Sequence, residues 1–528
     1  MKKLLLIAFL LSGSFAFSQF VLEHTYPENG IRRVKLEYSG EKYYLFNIAT
    51  REVILYNADH TYWKSIPVGM ANATYTAIEH LSEAKINPDS NIEIAFTCFY
   101  NVGNVSHRIS KVVSENGNTL LTVPEAENLT LDEIPGLSNK LIANMLDKTS
   151  MVFSLPSMEA EHVYPEGLVK RVKLENSGEK YYVIDAVGNQ TKILNSDHTI
   201  WKLVSLAKPA DAIYTAINLI TETIINDDPL VELSYTYYQD SGNRYYESKL
   251  INENGTVLLA VPSAANMYLD NKIAELPMRL MTRNTTSGNG TSVYGLHSLL
   301  LEHTYPSYTE RARMSNGDEK FFSYYPNSSN CMVYNSDHSV WKNIPLSLPA
   351  GADDESLHVT HVSDMKINDD GLVEIAFGYT VPLLPGFYYE YKVINELGNV
   401  LLTVPNCLDF TFFEMEGAEN KFIGLMFLQN SGFSATVYHV SETLNTNQET
   451  EKQQNVLYPN PVSSQLHIQA KAKIQQVEFY NATGALVKQV KEENISEIPV
   501  EALSAGFYMV KLTDAVQQNS VYKIMVSK

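Results

Sequence analysis

Short runs in which apolar and polar positions alternate fill most of the chain, and they are rich in β-branched and aromatic side chains. "KYYVI" at Lys180, "TKILN" at Thr191, "TIWKLVSL" at Thr199, "LVELSYTYY" at Leu230 and "TVLLAVP" at Thr256 are typical. A period of two places alternate side chains on opposite faces of a pleated strand, where Val, Ile, Tyr and Trp pack well. Gly, Asn, Asp and Pro separate the runs, as tight hairpins require. No stretch carries a sustained period of 3.6. The pattern predicts an all-β chain.

The runs recur in order. "LEHTYP" at Leu22 returns as "AEHVYP" at Ala160 and "LEHTYP" at Leu301. "SGEKYYLF" at Ser39 returns as "SGEKYYVI" at Ser177 and, more loosely, as "NGDEKFFS" at Asn316. "KVVSENGNTLLTVP" at Lys111 returns at Lys249 and Lys392, with offsets of 138 to 143 residues throughout. Three copies of one unit therefore fill roughly residues 19–440. Each unit holds a weaker repeat of its own, because "LYNADHTYWKSIP" (Leu55 to Pro67) overlays "VVSENGNTLLTVP" (Val112 to Pro124) as strand, turn, strand. A third hairpin per unit is read at Lys140 to Pro156. Three four-stranded sheets per unit gives about 46 residues each, close to one propeller blade. The third unit stops after "FSATVYHV", before any partner strand, while "FVLEHTYP" follows the leader, so the N-terminal strand is placed to complete the last blade and seal a ring. This reading is a β-propeller of six to nine blades. Three tandem β-sandwiches of about 140 residues are the alternative.

The same overlay bears on the most chemical-looking motif, Asp59-His60 with Trp63, repeated as Asp197-His198 with Trp201 and Asp337-His338 with Trp341. An Asp-His pair suits a metal site or a catalytic dyad. Yet His60 lies over Gly117, His198 over Gly255 and His338 over Gly398. Glycine there fits a positive φ in a tight turn, and His is among the few other residues enriched at positive φ. The favoured reading is a turn shaped by Asp-His with the Trp filling the core behind it, and no residue is assigned to catalysis or metal binding. An active site rarely needs three similar copies.

Other candidates weigh less. The acidic loops "INPDSN" (Ile86), "INDDPL" (Ile225) and "INDDGL" (Ile367) have oxygen ligands that suit Ca²⁺, but not the ligand density of an EF-hand loop, so solvated turns are the preferred reading and no cofactor is required. Glu23-His24, Glu161-His162 and Glu302-His303 are placed to ring a channel or line an interface; as neighbours on a strand they face opposite sides unless the strand twists. Tyrosine-rich stretches at Ser234 and Gly386 offer aromatic faces for sugar or peptide. The third unit diverges most, at "HVTHVSDMK" (His358) and "NSSNCM" (Asn327). No GxSxG, HExxH, CxxC or phosphate-binding loop is present. The function read from this is a binding scaffold for an extracellular protein or glycan, more a binder than an enzyme; an extracellular, glycan-active hydrolase is the alternative, since two carboxylates can be far apart in sequence.

Composition narrows the setting. A formal charge of −20 argues against nucleic acid. Residues 1–18 combine Lys2, Lys3, a short apolar core and small residues at Ala16 and Ser18, the pattern of a secretory signal peptide. No later segment is apolar for long enough to span a membrane. Three cysteines, Cys98, Cys331 and Cys407, are too few for a disulfide framework.

Residues 441–455 are polar and read as a linker to a small β-sandwich at 456–528. That module opens with Tyr458-Pro459-Asn460-Pro461, turns at Gly484, carries Ala505-Gly506 and Tyr508 in "LSAGFYMVKLTDA", and ends at Lys523 to Lys528. In these residues it resembles the type A C-terminal sorting domain of type IX secretion substrates of Bacteroidetes-type bacteria. The resemblance implies passage through the periplasm, reading by an outer-membrane translocon, removal of the module by its sortase, and release or attachment at the cell surface. The two prolines also fix the approach to the first strand.

Overall fold

The computed structural model describes residues 20–527 except 28–29, 241–243, 272, 274, 286–289, 326–328, 368–369, 383–385, 416, 429–431, 441–455, 471–472, 482–484 and 515–518. The leader at 1–18, the linker, the turn at Gly484 and the stretch at Asn327 fall wholly or partly outside the described residues. Two compact units divide the chain, Met1–Thr443 and Leu444–Lys528.

Among the described residues every regular element is a β-strand. In the first unit these strands form nine four-stranded antiparallel sheets. Sheets 1 to 8 are simple meanders at residues 32–67, 73–124, 126–164, 170–205, 213–262, 264–305, 309–345 and 353–405. Sheet 9 takes three strands from residues 407–440, and its fourth is the N-terminal strand Phe20–Tyr26, which pairs Phe20 with Val440 and Tyr26 with Ala435.

Alternation along the strands builds a core at each seam between sheets. Val53 and Leu55 of sheet 1 pack with Ile94 and Phe96 of sheet 2. Such clusters follow from each sheet to the next. The last one joins Ala435 and Val437 of sheet 9 to Tyr43 and Leu45 of sheet 1. Nine sheets with nine seams, the ninth returning to the first, are a closed nine-bladed β-propeller. The repeats are therefore not three separate sandwiches; each contributes three blades to one ring. Neighbouring first strands approach one another, as at residues 32–36 against 73–82 and 309–313 against 353–363, which places them where the blades converge. The three cysteines are buried and unpaired.

The second unit has a three-stranded sheet (Val456–Tyr458, Gln465–Gln469, Glu497–Pro499) and a four-stranded sheet of Leu486–Lys491, Ile474–Tyr480, Gly506–Asp514 and Asn519–Val526. Leu466, Val477, Phe479, Ile498 and Val510 lie in its core. This is a small β-sandwich.

Candidate binding site and the repeat junctions

The Asp-His motif sits at seams where one repeat meets the next. His60, His198 and His338 have φ of 64, 64 and 66°, beside 77, 81 and 81° at Gly117, Gly255 and Gly398. Asp59 Oδ1 accepts the Thr61 N–H at 3.0 Å and the Thr61 hydroxyl at 2.6 Å, and Asp197 and Asp337 do the same at Thr199 and Ser339. Each aspartate is occupied with its own turn, so no Asp-His dyad forms.

The imidazole instead crosses the seam. Tyr26 Oη lies 2.8 Å from His60 Nδ1, Tyr164 Oη 2.6 Å from His198 Nδ1, and Tyr305 Oη 2.7 Å from His338 Nδ1. Burial pushes each of these phenols up, so the hydroxyl keeps its proton and donates. Nε2–H is then left facing Glu23, Glu161 or Glu302 at 3.4 to 3.5 Å. Each carboxylate also meets a cation of the same sheet, Lys421, Lys140 or Arg279. His24, His162 and His303 stack on the turn histidines with ring centres 4.8, 4.8 and 5.0 Å apart. A period-2 strand alone would send Glu and the adjacent His to opposite faces. The register shifts between Leu22 and His24, and again at Glu161 and Glu302, show how both reach the junction: the glutamate is the extra residue of a β-bulge.

Three arginines, absent from the sequence reading, clip the same seams. Arg33 Nη1 and Nη2 donate to the carbonyls of Phe413 and Glu419 at 3.0 and 2.6 Å. Arg171 reaches Ser138 O at 2.6 Å, and Arg311 reaches Asp270 O and Pro277 O. Their spacing from the repeat blocks was visible, but an arginine in a strand looks like surface until the neighbouring blade is in place. The tryptophans sit at the edge of the core: Trp63 and Trp201 pack against the buried clusters of blades 1–2 and 4–5. Trp63 and Trp201 are half-buried and Trp341 is 36 % exposed. Each indole lies between two ammonium groups, Lys42 and Lys64 at 4.8 and 4.1 Å in the first copy. The others are Lys180 with Lys202 and Lys320 with Lys342, at 4.6 to 4.8 Å. Each is a cation–π contact at the edge of the core, and one lysine of each pair, Lys42, Lys180 or Lys320, is itself buried.

A cavity of 740 Å³ lies in the divergent third repeat, where the first strands of blades 7, 8 and 9 converge. Phe412, Thr360, Thr411, Glu310 and the ion pair of Lys366 with Glu414 (2.6 Å) line it. His361 borders it, with its ring centre 4.3 Å from that of Phe412. Its counterpart in the first repeat, His80, accepts the Leu131 N–H at 2.9 Å, whereas His361 Nε2 is buried and receives no hydrogen bond. Burial, then the nearby Lys366 charge, lowers the His361 pKa to about 3, so it is neutral at ordinary pH. A smaller cavity of 240 Å³ lies between blades 1 and 2, lined by Arg32, Tyr44, Phe46 and Tyr75.

In the second unit, Asn460 Oδ1 accepts the Met525 N–H at 2.8 Å, and Val462 bridges to Val526. Pro459 and Pro461 follow cis peptide bonds. Tyr458 stacks on His467, Tyr508 donates to Ser504 O at 2.9 Å, Gly506 has φ of 152°, and Lys523 pairs with Met509. The "YPNP" entry is thus pinned to the last strand.

Residues 456–527 match the family described as secretion system C-terminal sorting domain, the type IX class. A domain of this class implies interaction with the type IX machinery and export to the cell surface or beyond. No described helix is long and apolar enough to cross a membrane. No curated protein matches the chain. Among solved structures, a eukaryotic initiation factor is similar at 10 % identity with a TM-score of 0.43, over 87 % of this chain and 98 % of its own. BamB from Moraxella catarrhalis is similar at 8 % identity and TM-score 0.34, over 70 % and 99 %. The Dos1 propeller is similar at 9 % and 0.35, over 70 % and 96 %. At these scores the likenesses carry no functional reading.

Proposed function

We propose that the protein is a secreted or surface-attached binding protein whose nine-bladed ring presents a glycan site in the cavity of the third repeat. The observation that carries this is the cavity itself, placed where the repeat loses its symmetry. A volume of 740 Å³ accommodates one or two sugar rings. Phe412 gives an apolar face for a pyranose to lie on, and the paired Lys366 and Glu414 give one donor and one acceptor at the rim. Because each cation of the lining is paired with a carboxylate, Lys366 with Glu414, Arg311 with Glu319 and Arg313 with Glu275, the favoured ligand is an uncharged, polyhydroxylated one. The three matching junction clusters are left as joints, since their Tyr–His and His–Glu contacts cross from one repeat to the next.

Delivery follows from the two ends of the chain. The leader at 1–18 takes the protein to the periplasm of a Bacteroidetes-type bacterium. The type A module at 456–528, through Tyr458-Pro459-Asn460-Pro461, Gly484, Gly506, Tyr508 and Lys523, is read by the translocon and removed by its sortase.

A glycan-active hydrolase is the second reading, favoured by one observation: Glu310 and Glu414 line the same cavity. Both are already engaged, Glu310 by the Tyr308 hydroxyl at 2.6 Å and Glu414 by Lys366. A glycan array probed with the full chain, followed by chromatography of the bound glycans, separates the two. Binding with intact glycan is expected; shortened glycan would replace the binding reading with the hydrolase.

A further inference from the structure

The smaller cavity is built by residues that the first repeat does not share with the second. It lies where the turn after the second strand of blade 1 meets the first strand of blade 2, Ala73–Ser82. The register there sets Thr76 opposite Cys98. In the second repeat the bulge of the matching strand falls later, between Tyr214 and Ala216, and Tyr214 stands opposite Tyr237 at the same level. The Tyr214 hydroxyl donates to Leu206 O at 2.8 Å and lies 3.3 Å from Asn189 Oδ1, so its ring closes that gap. With Thr76 and Cys98 in place of two tyrosines, 240 Å³ stays open.

Two arginines line this space, Arg32 opposite Tyr44 on the first strand and Arg51 at the end of the turn. The same places hold Lys170 and Asn189 in the second repeat, and Glu310 and Ser329 in the third. Arg51 has a φ of 59°, beside 50° at Asn189 and 48° at Ser329. Asparagine suits such an angle; arginine has no local reason to occupy it. Gly69 makes room for its stem, because a Cβ there would lie 2.4 Å from Arg51 Cβ, and the equivalent positions carry Ala207 and Ser347. Both guanidinium groups lack a counterion. Arg32 Nη1 donates to Ile78 O at 3.1 Å, and among the described residues no carboxylate pairs with either arginine. Arg33, Arg108, Arg171 and Arg311 each meet one, as expected of a chain with 60 acidic side chains against 40 basic. Buried Tyr44 and half-buried Phe46 and Met70 give the cavity an apolar floor, and Tyr75 stands exposed at its mouth.

We propose that this cavity is a second ligand site, which takes the carboxylate of a small ring-bearing acid. The guanidinium fork matches a carboxylate in shape and charge, and two of them supply more donors than Ile78 O consumes. Phe46, Met70 and Tyr75 offer the ring an apolar surface. The volume admits one ring, not an oligosaccharide or a folded peptide. A uronic acid and an aromatic acid share this chemistry. The site stands apart from the third-repeat cavity and uses none of its residues.

The test is saturation-transfer NMR and calorimetry on the full chain. The probes are glucuronate and 4-hydroxyphenylacetate, each beside its uncharged counterpart, the glucuronate methyl ester and 4-hydroxyphenylacetamide. One of the two acids is expected to bind about tenfold more tightly than its counterpart and to weaken with added salt. A preference for glucuronate assigns the site to a sugar acid, and a preference for 4-hydroxyphenylacetate assigns it to an aromatic acid. Arg51→Asn puts the second repeat's residue at the same backbone angle, so it should melt like the parent and lose about tenfold in affinity, as should Arg32→Gln. The Lys366→Ala, Glu414→Ala double variant should bind the acid as the parent does. Equal binding of an acid and its uncharged counterpart overturns the proposal, as does binding undiminished in both arginine variants. Displacement by an equal concentration of inorganic sulfate, or no binding by the parent, overturns it too.

Discussion

His198 is held at a backbone angle that costs a side chain about 1–2 kcal/mol, and its bond to Tyr164 returns about 1 kcal/mol. The two effects can be separated by substitution. His198→Ala keeps the strained φ and loses the bond; His198→Gly loses the bond but relieves the strain. Melting should place Ala about 1 kcal/mol below the parent and Gly above Ala, about level with the parent. An Ala variant as stable as the parent would mean that the turn, and not the junction, selects histidine. Glu79 gives a second residue-scale outcome. Burial raises its pKa to about 7, against the opposing bonds from the Thr97 hydroxyl and Leu129 N–H. A carboxyl whose folded pKa lies above its ordinary 4.5 stabilises the fold fully below that value and loses this as the pH rises through 7. Glu79→Gln should therefore melt above the parent at pH 8 and lose that advantage at pH 5. An equal difference at both pH values would contradict it.

At the scale of elements, the junction explains what the repeat pattern was for. Each joint needs a bulged Glu-His strand from one unit and an Asp-His turn from the next, so the two motifs recur together at about 140 residues. The sequence showed the blocks, the turn geometry and the partner strand for the last blade, because period-2 alternation and glycine overlay report local backbone. It could not show that Glu23 and His24 share a junction, because a bulge breaks the very alternation used to assign faces. Nor could it place Trp63 between Lys42 and Lys64, since Lys42 comes from a strand two positions away in the sheet. The N-terminal strand is the element most exposed to test. Burial pushes the Glu23 carboxyl up, but bonds from His60 and Lys421 and the charges of Lys421 and His439 outweigh it and hold it at about 2. A carboxyl depressed below 4.5 stabilises the fold above that pH and loses this as the pH falls toward 2. Hydrogen exchange in Phe20–Tyr26 should accelerate between pH 4.5 and 2 beyond the intrinsic pH trend, ahead of the strands of blade 2. Lys421→Met should move that onset to higher pH. Simultaneous opening of all blades would refute a seam controlled by Glu23.

For the whole molecule, the ring and the sorting domain have separate cores, so removal of residues 457–528 should leave a folded propeller that stays in the periplasm. Surface display unchanged by the deletion would show that the export information lies elsewhere. The fold was legible because nine blades repeat one pattern three times over. The cavity was legible only as a place, the divergent third unit around His358. Its walls come from first strands more than 90 residues apart, and no local pattern joins Glu310 to Glu414.

The central claim is that this cavity is the binding site. Its most direct test is the glycan array run in parallel on the full chain and on a Lys366→Ala, Glu414→Ala double variant, whose altered side chains lie at the partly exposed rim and leave the blade cores intact. The account predicts a defined set of bound glycans for the parent and at least a tenfold weaker signal for the variant, with both melting alike. Equal binding by the two proteins, or no glycan bound by the parent, would contradict it.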